Sequence, residues 1–414
     1  MTNLPPFAPP AKAERHNSSP TVIVGGGIIG LATAFKLLEA RSGRRVVVLE
    51  KEATVAQHQS GHNSGVLHAG LYYAPDSLKA RLAVDGIRQM KAFCRQYSVP
   101  HEVCGKLVVA TTDQEVPRLE ALMRRGTANG LSGLRMLSPA EAREREPHVR
   151  CIAAVLVPEE GIVDYTAVCD TLVDRIVELG GEVRRSSAVE AIASRADGWT
   201  IQTQRGELPA SYLINCAGLH CDRVARMAGE TLDLRIVPFR GEYFKLRPER
   251  RSLVNHLVYP VPDPAFPFLG VHFTRMVGGD VEAGPNAVLA LAREGYHALN
   301  VNIRDAADAL LFPGLWRFLR RYPSMVGYEL RRSLSRRVFC ASLQRLVPEL
   351  QLDDLMPGNA GVRAQALASD GTLVQDFVIH QTPRALHLLN APSPGATASL
   401  AIADVLVSRL LASS

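Results

Sequence analysis

Hydrophobic positions fall into runs whose period changes from segment to segment. Thr21-Val22-Ile23-Val24 is a short apolar run, the mark of a buried strand, and it ends in Gly25-Gly26-Gly27-Ile28-Ile29-Gly30. From Leu31 to Ala40 the apolar residues recur at helical spacing, and residues 45–49 form a second strand-like run closed by Glu50. The pattern predicts a strand at 106–110 and a helix opened by the capping box Ser138-Pro139-Ala140-Glu141. Val168, Leu172, Ile176 and Leu179 share one helical face, which Gly180-Gly181 ends before the strand Glu182-Val183-Arg184. Residues 212–216 read as a buried strand running into the small-residue turn Ala217-Gly218, and 238–273 as strand-like runs broken by Pro. Residues 303–347 are mostly helical and Arg-rich. The chain closes with a strand at 385–389 and a helix at 396–411, whose apolar face is Leu400, Ala403, Val407 and Leu410. Ser393-Pro394 stands where a cap and first-turn proline belong.

Strands alternating with helices predict an α/β fold: a discontinuous Rossmann-like domain with an inserted mixed α+β domain. The expected division is a disordered tail at 1–20, a dinucleotide domain at 21–98, 152–235 and 345–414, and a substrate domain at 99–151 and 236–344. At 414 residues and 47% hydrophobic, the chain is long enough for both cores. The tail carries five prolines and no apolar stretch of the signal-peptide kind. No uncharged apolar run is long enough to span a bilayer.

Charge and cysteine content narrow the function classes. Seven scattered cysteines with no CxxC pair argue against a zinc site and for a reduced, cytoplasmic setting. The formal charge is +6, and only seven of the 47 Lys and Arg residues are lysine. That arginine excess has two readings: compositional drift, or bidentate holding of planar anions. Nucleic acid is excluded as a partner, because no recognised binding module accompanies the charge.

Gly25, Gly27 and Gly30 occupy the three positions of G-x-G-x-x-G. The first permits the turn, the second lets a pyrophosphate approach the backbone, and the third lets helix and strand pack closely. Glu50, at the end of the second strand, suits a ribose with free hydroxyls and disfavours a 2′-phosphate. The unit alone leaves NAD and FAD open. The polar, glycine-rich stretch Ser60 to Gly70 suits a backbone running along a flat ring system, which favours FAD.

The segment His62-Asn63-Ser64-Gly65-Val66-Leu67-His68-Ala69-Gly70, with the strand-turn-helix before it, resembles the flavoproteins of the D-amino-acid oxidase-like superfamily. Within it the chain is most similar to the L-2-hydroxyglutarate dehydrogenase (oxidase) family. Pro238–Tyr243, His272–Arg275, Gly284–Val288, Gly361–Gln365 and Asn390–Thr397 follow in that family's order. The resemblance implies FAD-dependent oxidation of L-2-hydroxyglutarate to 2-oxoglutarate. Hydride would pass from Cα to flavin N5, and electrons onward to a membrane quinone or O2. Alternatives are another 2-hydroxy-acid, amino-acid or amine oxidase, or a flavin-binding protein without turnover.

It further implies cofactor contacts from Gly25, Gly27, Gly30, Glu50, Lys51, His62, Asn63, Ser64, Gly65, Val189, Ala217, Gly218, Gly361, Gly395, Ala396 and Thr397. For the 212–218 segment an ordinary buried strand and turn is the alternative. Such chemistry needs a base, for which His68 and His272 are the candidates. It needs cationic donors for carboxylate, for which Arg363, Arg275 and Arg240 are the candidates, with Tyr243 and Thr274 beside them. Arg240 is read alternatively as a brace at the domain junction. The N-terminus of the 396–411 helix is expected to face negative charge on the flavin. The arginines at 313–340, with Trp316 and neighbouring apolar residues, are a solvated face or a peripheral contact with the inner face of the cytoplasmic membrane. No metal is expected.

Overall fold

The computed structural model describes residues 19–41, 43–264 and 269–412. The expected tail lies, but for Ser19 and Pro20, outside the described residues. The central six-stranded sheet has the order Val378–Thr382, Ala385–Asn390, Tyr212–Asn215, Thr21–Val24, Val46–Leu49, Glu182–Arg184. All its pairings are parallel except that of the edge strand Val378–Thr382. Its apolar runs are continuous because both faces are covered. Ile23, Val46 and Val48 point into the core formed with the helices Ile28–Ala40, Tyr165–Glu178 and Ser399–Ala412. Val22, Val24, Val47 and Leu49 point the other way, onto Trp199, Ile201 and Leu208 of a three-stranded antiparallel layer. The two-residue alternation of strands thus feeds two cores at once.

A nine-stranded sheet forms the second domain. Its long pair is Leu234–Leu246 against Leu355–Ala368, in a register that sets Phe239 opposite Arg363. Lys106–Ala110 lies between Leu257–Pro260 and Ala153–Val157. Two expected boundaries therefore move. Ala153–Val157 and Leu355–Ala368 belong to this sheet, so the divisions at 152 and 345 do not hold.

Local expectations are met where capping is local. Ser138 accepts from the Glu141 amide (3.3 Å), and the Glu141 carboxylate accepts from the Ser138 amide (2.8 Å), opening the helix Pro139–Arg145. Two expectations fail at helix ends. Leu179 is the C-terminal cap of Tyr165–Glu178 and stands 44% exposed, so its side chain is not part of the apolar face. The last helix starts at Ser399, because a tight turn occupies 393–398. Two bonds form that turn, from the Gly395 amide to the Pro392 carbonyl (2.9 Å) and from the Ala398 amide to the Pro394 carbonyl (2.9 Å).

Candidate active site

The two domains enclose a cavity of about 1050 Å³. One end is built by the first strand-turn-helix. Gly25 has φ +114°, and a Cβ there would lie 2.5 Å from the Cys216 carbonyl oxygen. At Gly30 a Cβ would lie 2.0 Å from the Gly25 carbonyl oxygen, so any side chain would push helix and strand apart. Gly30 packs and does not line the cavity, whereas Gly25 and Gly27 do. The helix carries no acidic residue in its first turn, which leaves its positive end available to an anion. Glu50 accepts the Gly26 amide (2.7 Å) on one oxygen and the Glu52 amide (2.8 Å) on the other. Both oxygens keep acceptor capacity, since a carboxylate has about four lone-pair sites. A cradle without Cβ atoms, a helix start without acids and a carboxylate at the second strand's end fit the dinucleotide of FAD.

Lys51 lies beside that end, paired with Glu294 (2.7 Å) and Glu52. Glu52, His58 and Glu294 are the one group of potential metal ligands among the described residues. The Lys51 ammonium lies within hydrogen-bond reach of all three and takes the place a cation would fill.

The 60–70 stretch is shaped by its own side chains. Asn63 Nδ2 donates to the Gln59 (3.1 Å) and Ser60 (2.7 Å) carbonyls, and Asn63 Oδ1 accepts the Gly65 amide (2.8 Å). Ser60 Oγ accepts the Ile28 amide (2.9 Å), tying the loop to the first helix. His62 hydrogen-bonds the Ala360 carbonyl through Nδ1 (3.0 Å) and stacks on Tyr296 at 4.1 Å. Gly361 lets the long strand meet this loop, as a Cβ would lie 2.6 Å from the His62 carbonyl oxygen. His62, Asn63, Ser64, Val189, Ala217, Gly218, Gly361, Gly395, Ala396 and Thr397 all line the cavity, while Gly65 only turns the backbone (φ +62°).

The expected helix end is replaced by a turn. Residues 391–397 face the cavity, and the helix begins two residues farther on at buried Ser399. Thr397 Oγ1 accepts the His68 amide (3.2 Å) and lies 2.7 Å from the Tyr165 hydroxyl, so it anchors the segment that carries His68.

At the other end the structure brings together His68, His272, Arg363, Tyr243, Tyr72 and Tyr259. His272 Nδ1 contacts the Gly270 carbonyl (2.9 Å), which assigns the proton to Nδ1 and the lone pair to Nε2. The ring stacks on Tyr259 at 3.8 Å, and burial holds it at about 3, so it stays neutral. His68 Nδ1 lies 3.7 Å from Glu160 Oε2. Arg363 Nη1 donates to the Asn286 carbonyl (3.1 Å), leaving its remaining donors to its other contacts and to a ligand. Burial pulls Arg363 below the usual arginine value without neutralising it, and pushes the neighbouring Tyr243 phenol up to about 12.

Three expected substrate contacts are not brought here. Arg240 is buried, but it pairs with Glu242 (2.8 Å) and donates to the His297 carbonyl (3.1 Å), so it braces its own sheet. Arg275 pairs with Glu102 away from the cavity, and Thr274 is buried behind its wall. The Arg240–Glu242 pair was readable, since residues two apart on a strand share a face. Two residues of the site do not stand out in the sequence: Lys106 and Glu160 form a fully buried ion pair (2.5 Å) next to His68. The available signal was a lysine in the apolar run Leu107-Val108-Val109, in a chain with so few lysines.

A dinucleotide cradle joined to a pocket of histidines and arginine defines a two-domain flavin-dependent oxidoreductase. The chain belongs to the FAD-dependent oxidoreductase family, whose model matches residues 21–409, and within it to the L-2-hydroxyglutarate dehydrogenase group. An L-2-hydroxyglutarate dehydrogenase of Indibacter alkaliphilus is 47% identical over 92% of this chain and 96% of its own length. The mitochondrial L-2-hydroxyglutarate dehydrogenase of Homo sapiens is 41% identical over 97% of this chain and 90% of its own. Among solved structures, L-alpha-glycerophosphate oxidase from Mycoplasma pneumoniae with FAD bound superposes with a TM-score of 0.76. It is 25% identical and covers 95% of this chain and 94% of its own.

Proposed function

We propose that this protein oxidises L-2-hydroxyglutarate to 2-oxoglutarate. The observation that carries the reading is one cavity wall bearing a half-buried arginine and two histidines, at the far end of a dinucleotide cradle. Relatives bearing that enzyme's name, similar along nearly their whole length, support the substrate. Bound FAD supplies the two-electron acceptor for the Cα hydride.

Arg363 holds the carboxylate beside the reacting carbon by planar, charge-assisted hydrogen bonds. His272, fixed in one tautomer and kept neutral, offers Nε2 as an acceptor that orients the hydroxyl. His68 takes the hydroxyl proton, because Glu160 lies close enough to share the resulting positive charge. The substrate's second carboxylate needs a second cation, and with Arg240 and Arg275 engaged elsewhere, Lys79, Arg118 and Arg125 remain on the cavity wall. Lys79 lies over the Tyr73 ring (4.7 Å), and Arg125 donates to the Tyr72 carbonyl (3.0 Å), so these groups gather around one loop.

Anaerobic bleaching of the flavin by L-2-hydroxyglutarate, and not by its D enantiomer, glycine or glycerol-3-phosphate, is the expected result. Bleaching by glycine or glycerol-3-phosphate alone would overturn the reading.

A membrane quinone is the proposed electron acceptor, with O2 as the alternative. Leu299, Val301, Ile303, Leu311 and Trp316 are 49–93% exposed, and Arg317, Arg320 and Arg321 stand on the adjoining helix Pro313–Arg321. This apolar surface with a basic rim suits an anionic lipid headgroup layer. Within 313–340, Arg332 is buried on Glu329 and Arg336 donates to the Leu352 and Leu355 carbonyls, so these two arginines are engaged within the protein. No helix among the described residues is long and apolar enough to cross a membrane. Co-sedimentation with phosphatidylglycerol vesicles at low salt, lost at high salt, is expected; no binding at low salt would remove the contact.

A further inference from the structure

We infer that Glu160, held in place by Lys106, is a positioning residue that faces the His68 imidazole and carries the countercharge for its proton. The inference rests on the proposal that His68 takes the substrate's hydroxyl proton.

The geometry is a chain of three groups. Lys106 Nζ lies 2.5 Å from Glu160 Oε2, and both side chains are fully buried. Glu160 Oε1 accepts the amide of Ala69 (3.1 Å), the residue after His68, so the carboxylate is fixed relative to that segment. Glu160 Oε2 faces His68 Nδ1 at 3.7 Å, too long for a hydrogen bond and close enough for a strong charge interaction. Lys106 is enclosed by the rings of Tyr72 (4.5 Å) and Tyr259 (4.9 Å). Burial would push the Glu160 carboxyl up, but Lys106 and His68 outweigh it and hold it at about 2. The other titratable side chains facing this group are His272, which Arg363 in turn faces, and the phenols of Tyr72, Tyr73, Tyr165 and Tyr259.

Stability does not account for the pair. A buried ion pair generally contributes no more than apolar residues of the same volume, and the strand around Lys106 is otherwise Leu and Val. What the pair does supply is a fixed anion beside one imidazole. A proton moving from substrate to His68 places positive charge where that anion already stands, with no reorganisation needed.

Three proteins test this as holoenzymes: wild type, Glu160→Gln, and the double variant Lys106→Met/Glu160→Gln, which leaves no unpaired buried charge should the single variant fold poorly. The readouts are the acid limb of kcat/KM with L-2-hydroxyglutarate and the 15N NMR titration of His68, assigned with His68→Gln. Removing the anion while keeping the cation makes the imidazole harder to protonate. The acid limb and the His68 midpoint should therefore move down by about one pH unit in Glu160→Gln. The double variant should fall between Glu160→Gln and wild type. A lower rate with an unmoved midpoint in both variants would reduce the pair to scaffolding and overturn the inference. Wild-type protein inert toward L-2-hydroxyglutarate would instead overturn the substrate reading, and an active His68→Gln the choice of base.

Discussion

At the Gly25 end of the cavity the wall is backbone, whereas at the Arg363 end it is side chains. The first is one continuous segment in which two glycines, Gly25 and Gly30, are demanded by distances of 2.0–2.5 Å to carbonyl oxygens. The second is assembled from the loop around His68, which adjoins a strand of a separate three-stranded sheet, and from the strands His272–Arg275 and Leu355–Ala368 of the nine-stranded sheet. Backbone recognition tolerates no added atom, and side-chain recognition tolerates relocation of its parts. A binding function can thus be held rigid while the chemistry beside it varies.

The largest expected effect comes from breaking the backbone end. Gly30→Ala sets a methyl group against the Gly25 carbonyl, where neither the helix nor the strand can yield alone. A cost of about 3 kcal/mol, at the upper end for overpacking, corresponds to a Tm fall of roughly 6–12 °C for a domain of this size. The purified variant should also lose its yellow colour. Full flavin content at an unchanged Tm would show that the close approach is not needed.

At the side-chain end the equivalent test is Arg363→Lys. The charge is kept and the planar fork is lost, along with a charge-assisted hydrogen bond worth about 1.5–3 kcal/mol. KM for L-2-hydroxyglutarate should rise roughly 10- to 150-fold, by the same free energy, with flavin content unchanged. An unchanged KM would take Arg363 out of the site. The two variants together sharpen the contrast, since one should lose cofactor and the other substrate.

This contrast also explains which parts of the site were legible in the sequence. Gly25, Gly27, Gly30 and Glu50 are readable because a strand, a turn and a helix in register leave few residues able to serve. The capping box at Ser138 is readable for the same local reason. Arg275 looked like a carboxylate ligand beside His272, yet its partner Glu102 comes from a distant strand that nothing near Arg275 announces. Lys106 and Glu160 lie in separate parts of the chain, so their meeting is a property of the fold alone. The late start of the last helix follows from the turn at 393–398, whose backbone hydrogen bonds leave no mark in hydrophobic periodicity.

A smaller effect tests whether His272 is held neutral by burial. Its folded value is about 3, below the ordinary histidine value of roughly 6.5. As pH falls, the unfolded chain takes up this proton first. Neutral His272 therefore contributes stability above about pH 6.5, and that contribution is lost as pH falls toward 3. His272→Gln should flatten the dependence of unfolding free energy on pH between 6 and 4 by about one proton, ~1.4 kcal/mol per pH unit. His387, held at about 4 by burial, titrates in the same window and keeps a residual slope. An unchanged slope would mean that His272 is protonated in the folded protein.

The smallest expected effect separates arginines that touch substrate from those that only resemble such arginines in sequence. Arg275 lies beside His272 in the chain but pairs with a half-exposed Glu102 outside the cavity. An exposed pair of this kind is worth about 0–1 kcal/mol, and its loss leaves no buried charge behind. Arg275→Ala should leave KM within about twofold of wild type, against the large rise expected for Arg363→Lys. A tenfold rise in KM for Arg275→Ala would mean that the Glu102 pair opens on substrate binding and that the side-chain end extends past the cavity wall in front of Thr274. A silent Arg275 beside a sensitive Arg363 would instead show that a place on the cavity wall, and not proximity in sequence to a histidine, selects the carboxylate ligand.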